Sequence, residues 1–278
     1  MGGSSELLSN DSVLNVNTED SVICNDTSKW KQSINITQQR IHKPYITILI
    51  PLFNGIDFLN ECITSVIQQT YTNWEVIIGI NGHGHDGGAV ATKTREIAKC
   101  DTRIRVIVQP PPIAGKVESL NDLMNYVEGE WVCLLDCDDM WHPMKLEEQM
   151  KVKETVARNA AVIGTFCQYF GEFGGAPLLP SEWIPTTAFL ESNPIINSSA
   201  MIHRSYCYWR YTEVCNGIME DYDLWMRISL MGGKLYNVPK VLCAHRIHKT
   251  SAFNTKEQNP KSLQDEYTLA KLMYFGKS

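Results

Sequence analysis

Three carboxylates fall within four residues at Asp136-Cys137-Asp138-Asp139, directly after the apolar run Trp131-Val132-Cys133-Leu134-Leu135. Carboxylates this close repel one another unless a cation lies between them. The grouping therefore points to a hard divalent ion, Mn2+ or Mg2+, held by one or two protein oxygens and completed by water and phosphate. A bland alternative is a solvated acidic turn in which Asp138 or Asp139 caps a helix over residues 144–153. A second acidic group stands far downstream, at Glu220-Asp221-Tyr222-Asp223-Leu224-Trp225-Met226-Arg227. Leu224, Ile228 and Met231 give it helical spacing, ending at Gly232-Gly233. On that helix Asp221 and Trp225 share a face, and Asp223 with Arg227 has the spacing of a surface ion pair.

The elements that must position these acids form an alternating series. The apolar run 131–135 suits a strand buried on both faces, and such strands present their functional groups at their carboxyl ends, beside the sheet. Upstream, the β-branched residues 46–50 predict a first strand that Pro51 ends. A helix over 58–67, a strand over 74–80, a helix over 89–99, a strand over 104–108 and a helix over 115–126 follow. The loop between the second strand and its helix is Asn81-Gly82-His83-Gly84-His85-Asp86-Gly87-Gly88. Strand-helix alternation implies right-handed crossovers and a largely parallel sheet. Beyond Trp141 the spacing predicts a helix to about residue 157, a strand over 161–170, a Gly/Pro-rich loop over 171–185 and a last strand over 235–244. That strand delivers His245-Arg246-Ile247-His248.

Composition narrows the partners. The chain has 278 residues, 44% hydrophobic and 20% charged, enough for one sizeable core. Twenty-five Lys and Arg against 31 Asp and Glu give a net charge of −6, with no dense basic run, which argues against nucleic acid. Nine cysteines lie scattered without a CxxC pair, as expected of buried thiols in a reducing compartment. No apolar stretch approaches the roughly 20 residues of a spanning helix, so the expectation is a cytoplasmic protein without a transmembrane segment. Residues 1–43, rich in Ser, Asn, Asp and Thr, read as a disordered or loosely attached tail. The main domain is expected over 44–254 and a helical extension over 255–278. Within that extension, residues 263–275 form an amphipathic pattern that packs on the domain, with peripheral membrane contact as the alternative.

Taken together, the motifs resemble the inverting nucleotide-sugar glycosyltransferases of family 2. They are the Ile-Pro-Leu-Phe-Asn opening, Gln69-Thr70-Tyr71 before Asn73-Trp74-Glu75, Gly115-Lys116 leading to Leu120-Asn121, the Asp136–Asp139 cluster with Trp141-His142-Pro143, the Glu220–Arg227 block and Arg246-Ile247-His248. The resemblance implies an α/β GT-A fold: a Rossmann-like, mostly parallel central sheet flanked by helices, with a smaller mixed region on the acceptor side. It also implies transfer of a sugar from a nucleoside diphosphate, a UDP-sugar in the first instance, to a hydroxyl of a glycan or other acceptor. In such enzymes a metal stabilises the departing diphosphate and a carboxylate across the site takes the acceptor proton.

Residue by residue, the resemblance makes Asp138 a metal ligand, sets Asp136 near the ribose within the Asp136-Cys137-Asp138 contact, and makes Asp221 the base. Glu220 and Trp225 fall on the acceptor side, Trp225 as an apolar platform. His248 matches a further metal or diphosphate ligand, with imidazole favouring manganese. Pro51, Phe53 and Asn54 match the loop along the nucleotide base, and Lys116 and Asn121 match base, ribose or phosphate contacts. The chain departs from the pattern at Asn81, where an aspartate usually accepts from uracil; an Asn carbonyl can accept the same bond, but its amide also donates. A nucleotide-binding relative without turnover is the competing reading, and the intact Asp136, Asp138 and Asp221 argue against it.

Overall fold

The computed structural model describes residues 46–210, 219–249, 268, 271–272 and 274–276. The expected tail over 1–43 lies outside the described residues. The first strand, β1 (Ile46–Leu52), runs beside β2 (Trp74–Ile80), β3 (Ile104–Val108) and β4 (Trp131–Leu134), all parallel, in the order β3-β2-β1-β4. The helices between them are α1 (Leu59–Ile67), α2 (Gly88–Ala98) and α3 (Lys116–Leu123).

The sheet then changes character. Strand β4 pairs antiparallel with β8 (Met201–His203), which pairs antiparallel with β6 (Ala160–Gly171), and β6 lies parallel to β9 (Lys234–Ile247). Two short strands, β5 (Met140–Trp141) and β7 (Glu182–Ile184), pair antiparallel with β9. Helix α4 (Lys145–Thr155) follows β5, and helix α5 (Glu220–Leu230) precedes β9. Parallel pairing thus dominates the first half of the sheet only, and the second half is mixed.

Alternation along the strands sorts the core into two layers. Ile46, Ile48, Ile50 and Leu52 of β1 join Val76 and Ile78 of β2 on one face, under Leu59, Ile63 and Val66 of α1 and Leu146 of α4. Leu49, Ile77, Val132 and Leu134 point to the other face, against Val117 and Leu120 of α3 and Tyr222, Leu224 and Trp225 of α5. Each such side chain, fully buried, contributes about 1.5–3 kcal/mol, so both layers hold the sheet rigid beneath the loops at its carboxyl edge. Residues 268, 271–272 and 274–275 are helical, and Tyr274 and Phe275 pack against the second layer.

Several boundaries differ from the expectations. Pro51 does not end β1; it pairs with Gly79 inside the strand. Leu49 accepts from the Leu135 amide, so alternate residues of β1 address the β4 side, and at Pro51 that partner has already turned away. A missing N–H therefore costs no ladder bond there. Residues 140–141 form an edge strand, α4 begins only at Lys145, and neither Asp138 nor Asp139 caps it. The last strand extends to Ile247, which takes His245 and Arg246 into the sheet.

Candidate active site

Chain order places β2 and β3 on one side of β1 and β4 on the other, so the loops after β1 and β4 diverge and open a crevice at their carboxyl ends. Phe53 and Asn54 leave β1 there, and Asp136, Cys137 and Asp138 leave β4. The Cys137 thiol donates to the Asn54 carbonyl at 3.1 Å and ties the two loops together. Burial, with the Asp138 and Asp136 charges, keeps that thiol protonated. Cys137 is thus a brace between the loops.

The Phe53 ring is 49% exposed and sets one edge against Gly82, where an added Cβ would sit 2.5 Å from a ring carbon. Gly82 has φ 75°, so both its conformation and its bareness serve this contact. His83 Nε2 is 2.5 Å from the Phe53 carbonyl. Asn81 is buried, and its amide reaches Ser119 Oγ at 3.4 Å. Asn121 was expected at the nucleotide, but both ends of its amide are engaged elsewhere: Nδ2 donates to the Trp209 carbonyl at 2.8 Å and Oδ1 accepts from the Trp209 amide at 3.0 Å. It braces backbone.

Lys116 joins the two acidic groups. As the first residue of α3 it places Nζ 2.8 Å from Asp136 Oδ1 and 3.0 Å from Glu220 Oε1. Burial disfavours its charge, but the two carboxylates outweigh that and raise its pKa well above the usual lysine value. The Asn197 amide donates to both Asp136 oxygens, at 3.2 and 3.1 Å, and Ser198 Oγ accepts from the Asp136 N–H. Burial pushes Asp136 up, yet Lys116 and Asn197 hold its carboxyl below the ordinary range. Glu220, buried to 4% exposure, shifts upward because its burial outweighs Lys116. The acceptor-side position expected for Glu220 is therefore corrected: it is an interior partner of Lys116.

Asp221 stands next to that bridge. Its Oδ2 accepts from Asn193 Nδ2 at 3.0 Å and its Oδ1 from the Tyr222 amide at 2.7 Å. Burial first, then the Glu220 charge, pushes its pKa to about 7, against Lys116 and the two donors. Trp225 does not form an exposed platform; it is fully buried in the second core layer. The helical-face argument put it beside Asp221 but could not show that this face turns inward.

At the other end of the crevice, His248 Nε2 lies 2.8 Å from Asp138 Oδ2 and its ring packs on Phe58 with centroids 4.9 Å apart. Burial, then the Asp139 and Asp136 charges, raises the Asp138 carboxyl. Asp139 is fully buried and structural: it accepts from the Arg246 amide at 2.8 Å and lies 3.1 Å from His245 Nδ1. Burial pulls His245 down, but Asp139 and Asp136 carry it to about 9. Arg246 Nε donates to the Asp138 carbonyl at 2.9 Å, and its guanidinium pairs with Glu61. The end of β9 thereby fixes the acidic loop.

Among the described residues no three His, Cys, Asp or Glu side chains converge on one point. Asp138 and His248 instead offer one oxygen and one nitrogen side by side, a donor pair that fits a divalent ion taking its other ligands from diphosphate and water. No helix among the described residues is long and apolar enough to cross a membrane. Sequence reading missed Asn193, Asn197 and Arg246 as supports. The polar run Asn197-Ser198-Ser199 inside an apolar stretch is a signal for one of them, and the place of Arg246 in the Arg246-Ile247-His248 motif is a signal for another.

Comparisons with known proteins agree with this geometry. Residues 47–209 match the family model described as Glycosyl transferase family 2. An uncharacterized glycosyltransferase of Haemophilus influenzae is 29% identical over 78% of this chain and 70% of its own length. The Escherichia coli protein WfaP, described as a UDP-Glc:alpha-D-GlcNAc-diphosphoundecaprenol beta-1,3-glucosyltransferase, is 26% identical over 76% of this chain and 80% of its own. Among solved structures, the mannosyltransferase PcManGT from Pyrobaculum calidifontis, in complex with GDP-Man and Mn2+, aligns with a TM-score of 0.60 at 14% identity over 88% of this chain and 73% of that one. A fragment of S. aureus TarS in complex with UDP-GlcNAc aligns with a TM-score of 0.61 at 13% identity over 82% of this chain, which spans 66% of that fragment. A mixed α/β sheet opening at its switch point and a family match over more than half of the chain lead to one assignment: the chain belongs to glycosyltransferase family 2, with the GT-A fold.

Proposed function

We propose that this glycosyltransferase is metal-dependent and inverting, and that it moves a sugar from a UDP-sugar to an acceptor hydroxyl of a glycan or other alcohol. The observation that carries the reading is Lys116, which brings the helix turn of Asp221 against the loop of Asp136. A carboxyl with a pKa of about 7, held by Asn193 and the Tyr222 amide, is poised to accept a proton near neutrality. Single displacement with inversion requires the base and the leaving group on opposite faces of the anomeric carbon, and in this reading Asp221 takes the acceptor face and the Asp138 group the diphosphate face.

Each remaining residue has a definite task. Phe53, with one ring edge against Gly82 and about half of its surface exposed, offers a face on which a base stacks. With its amide directed to Ser119, Asn81 keeps its carbonyl oxygen for the uracil imide. Pro51 shapes the strand end that carries Phe53 and Asn54, and Asp136 takes ribose hydroxyls. Asp138 and His248 hold the divalent ion, Mn2+ or Mg2+, which when bound neutralises charge on the departing diphosphate. The name of WfaP supports the uridine donor, and the Mn2+ complex of PcManGT supports the metal.

The test is release of nucleoside diphosphate from a panel of UDP-, GDP- and dTDP-sugars with Mn2+, Mg2+ or EDTA, followed by NMR of the anomeric centre formed. Release confined to UDP-sugars with metal, and a β-product from an α-donor, is expected. Undiminished release in EDTA would remove the metal, and a retained anomer would remove inversion.

A further inference from the structure

The family match ends at residue 209, and a network around one buried carboxylate lies just beyond it. Asp223, in the first turn of α5, is 2% exposed and collects three donors. Arg227 Nε donates to Oδ2 at 2.8 Å, Arg210 Nη2 to Oδ1 at 2.9 Å, and the Tyr274 hydroxyl to Oδ1 as well. Arg210 also donates to the Tyr274 oxygen. The Asp223–Arg227 pair expected at the surface is therefore an interior joint. Burial pushes the Asp223 carboxyl up, but these donors hold it below its ordinary value.

An exposed pair at this spacing would constrain little, whereas a desolvated carboxylate with three donors is fixed in direction, because losing any donor leaves a buried charge short of a partner. The Asp223 amide donates to the Met219 carbonyl at 3.0 Å, which closes the same helical turn that carries Asp221. The joint thus lies two residues from the candidate base and is reached by a side chain from the C-terminal segment.

We propose that Tyr274 is a positioning residue for the transfer reaction: through Asp223 and Arg210 its hydroxyl fixes the first turn of α5 and so the direction in which Asp221 presents its carboxylate. This rests on Asp221 being the base. The competing role is a simple tack that holds residues 274–276 to the domain.

Full-length Tyr274→Phe keeps the ring and removes only the hydroxyl. The readouts are nucleoside diphosphate release from UDP-glucose, or the best donor of the panel above, with Mn2+ and water as acceptor; UDP affinity by calorimetry; and Tm. The expected result is a kcat lowered about tenfold with UDP affinity unchanged, the loss that a small misplacement of a reacting group produces. In an Asp221→Asn background, Tyr274→Phe should lower kcat no further. Asp223→Asn, which keeps an acceptor for the hydroxyl and loses the charge, should show a similar loss, and the Asp223→Asn/Tyr274→Phe double variant should fall no lower than the worse single one. A wild-type kcat in Tyr274→Phe, or the same fractional loss in the Asp221→Asn background, overturns the proposal. A lower Tm with kcat per folded molecule intact assigns the hydroxyl to tacking alone. Turnover surviving in Asp221→Asn by itself instead overturns the base assignment, and the two failures are read from different variants.

Discussion

In the parallel half of the sheet, the candidate contacts follow directly from strand ends: Phe53 and Asn54 after β1, Asn81 after β2, and Asp136 to Asp138 after β4. In the mixed half they are assembled from scattered places. Asp221 is oriented by Asn193 from an irregular segment, Asp138 meets His248 just beyond β9, and Asp223 is held from residues 210 and 274. The parallel half is thus a rim of short loops on a rigid sheet, and the mixed half, which brings the proposed base and one proposed metal ligand, is a convergence that depends on long-range closure. One residue, Lys116, belongs to both. The contrast teaches that the two halves should fail differently: donor-side changes should alter affinity, and acceptor-side changes should alter turnover.

The largest effect should come from Asp221→Asn, which removes the proton acceptor while leaving the shape. Transfer should drop at least about a hundredfold with UDP affinity near normal, and near-wild-type turnover would erase the division of labour. Next, Lys116→Met should unsettle both halves at once, leaving Asp136 and Glu220 facing each other in the interior without a cation. A loss of about 3 kcal/mol in denaturant unfolding is expected at neutral pH, shrinking as the pH falls and Glu220, whose pKa is raised, takes up a proton. Stability unchanged by this substitution would show the bridge to be incidental.

Phe53→Ala should lower nucleotide affinity about tenfold, the scale of one lost base-aromatic stack, without changing Tm, because the ring is half exposed. The pH dependence sharpens the other side. A base must be deprotonated, so kcat should rise with pH and level off above about 7, and Asp221→Asn should abolish that limb. The stability sign is opposite: the folded state holds this proton more tightly than the unfolded chain, so the Asp221 contribution weakens as pH climbs from the ordinary carboxyl range to about 7. Smallest in function should be Trp225→Phe. It should cost about 1–2 kcal/mol of stability and leave the acceptor KM unchanged, as a core residue must; a shifted KM would restore the platform.

Much of the donor half was legible because local rules govern it. Short apolar and β-branched runs located β2, β3 and β4 to within a residue and β1 to within two, and strand-helix alternation gave their parallel direction. Legibility failed where neighbours override local preference. Pro51 signals a strand end locally, because the absent partner at that register lies elsewhere in the chain, and Asn121 matches a ligand contact by motif although it braces the distant Trp209 backbone. The acceptor half was legible only in its residue types. The Asp221–Trp225 spacing gave a shared face, but whether that face met solvent or the β-sheet depended on packing.

The amino-acid order alone determined the kind of protein: an alternating α/β chain with acids at a strand end, a second acid group on a helix, and motifs resembling one family. These follow from periodicity and residue chemistry, which act over a few neighbours. The tertiary structure alone decided which acids meet. Lys116 between Asp136 and Glu220, His248 beside Asp138, and Tyr274 on Asp223 are contacts between distant segments, and they exist because two buried layers hold the sheet edges in register.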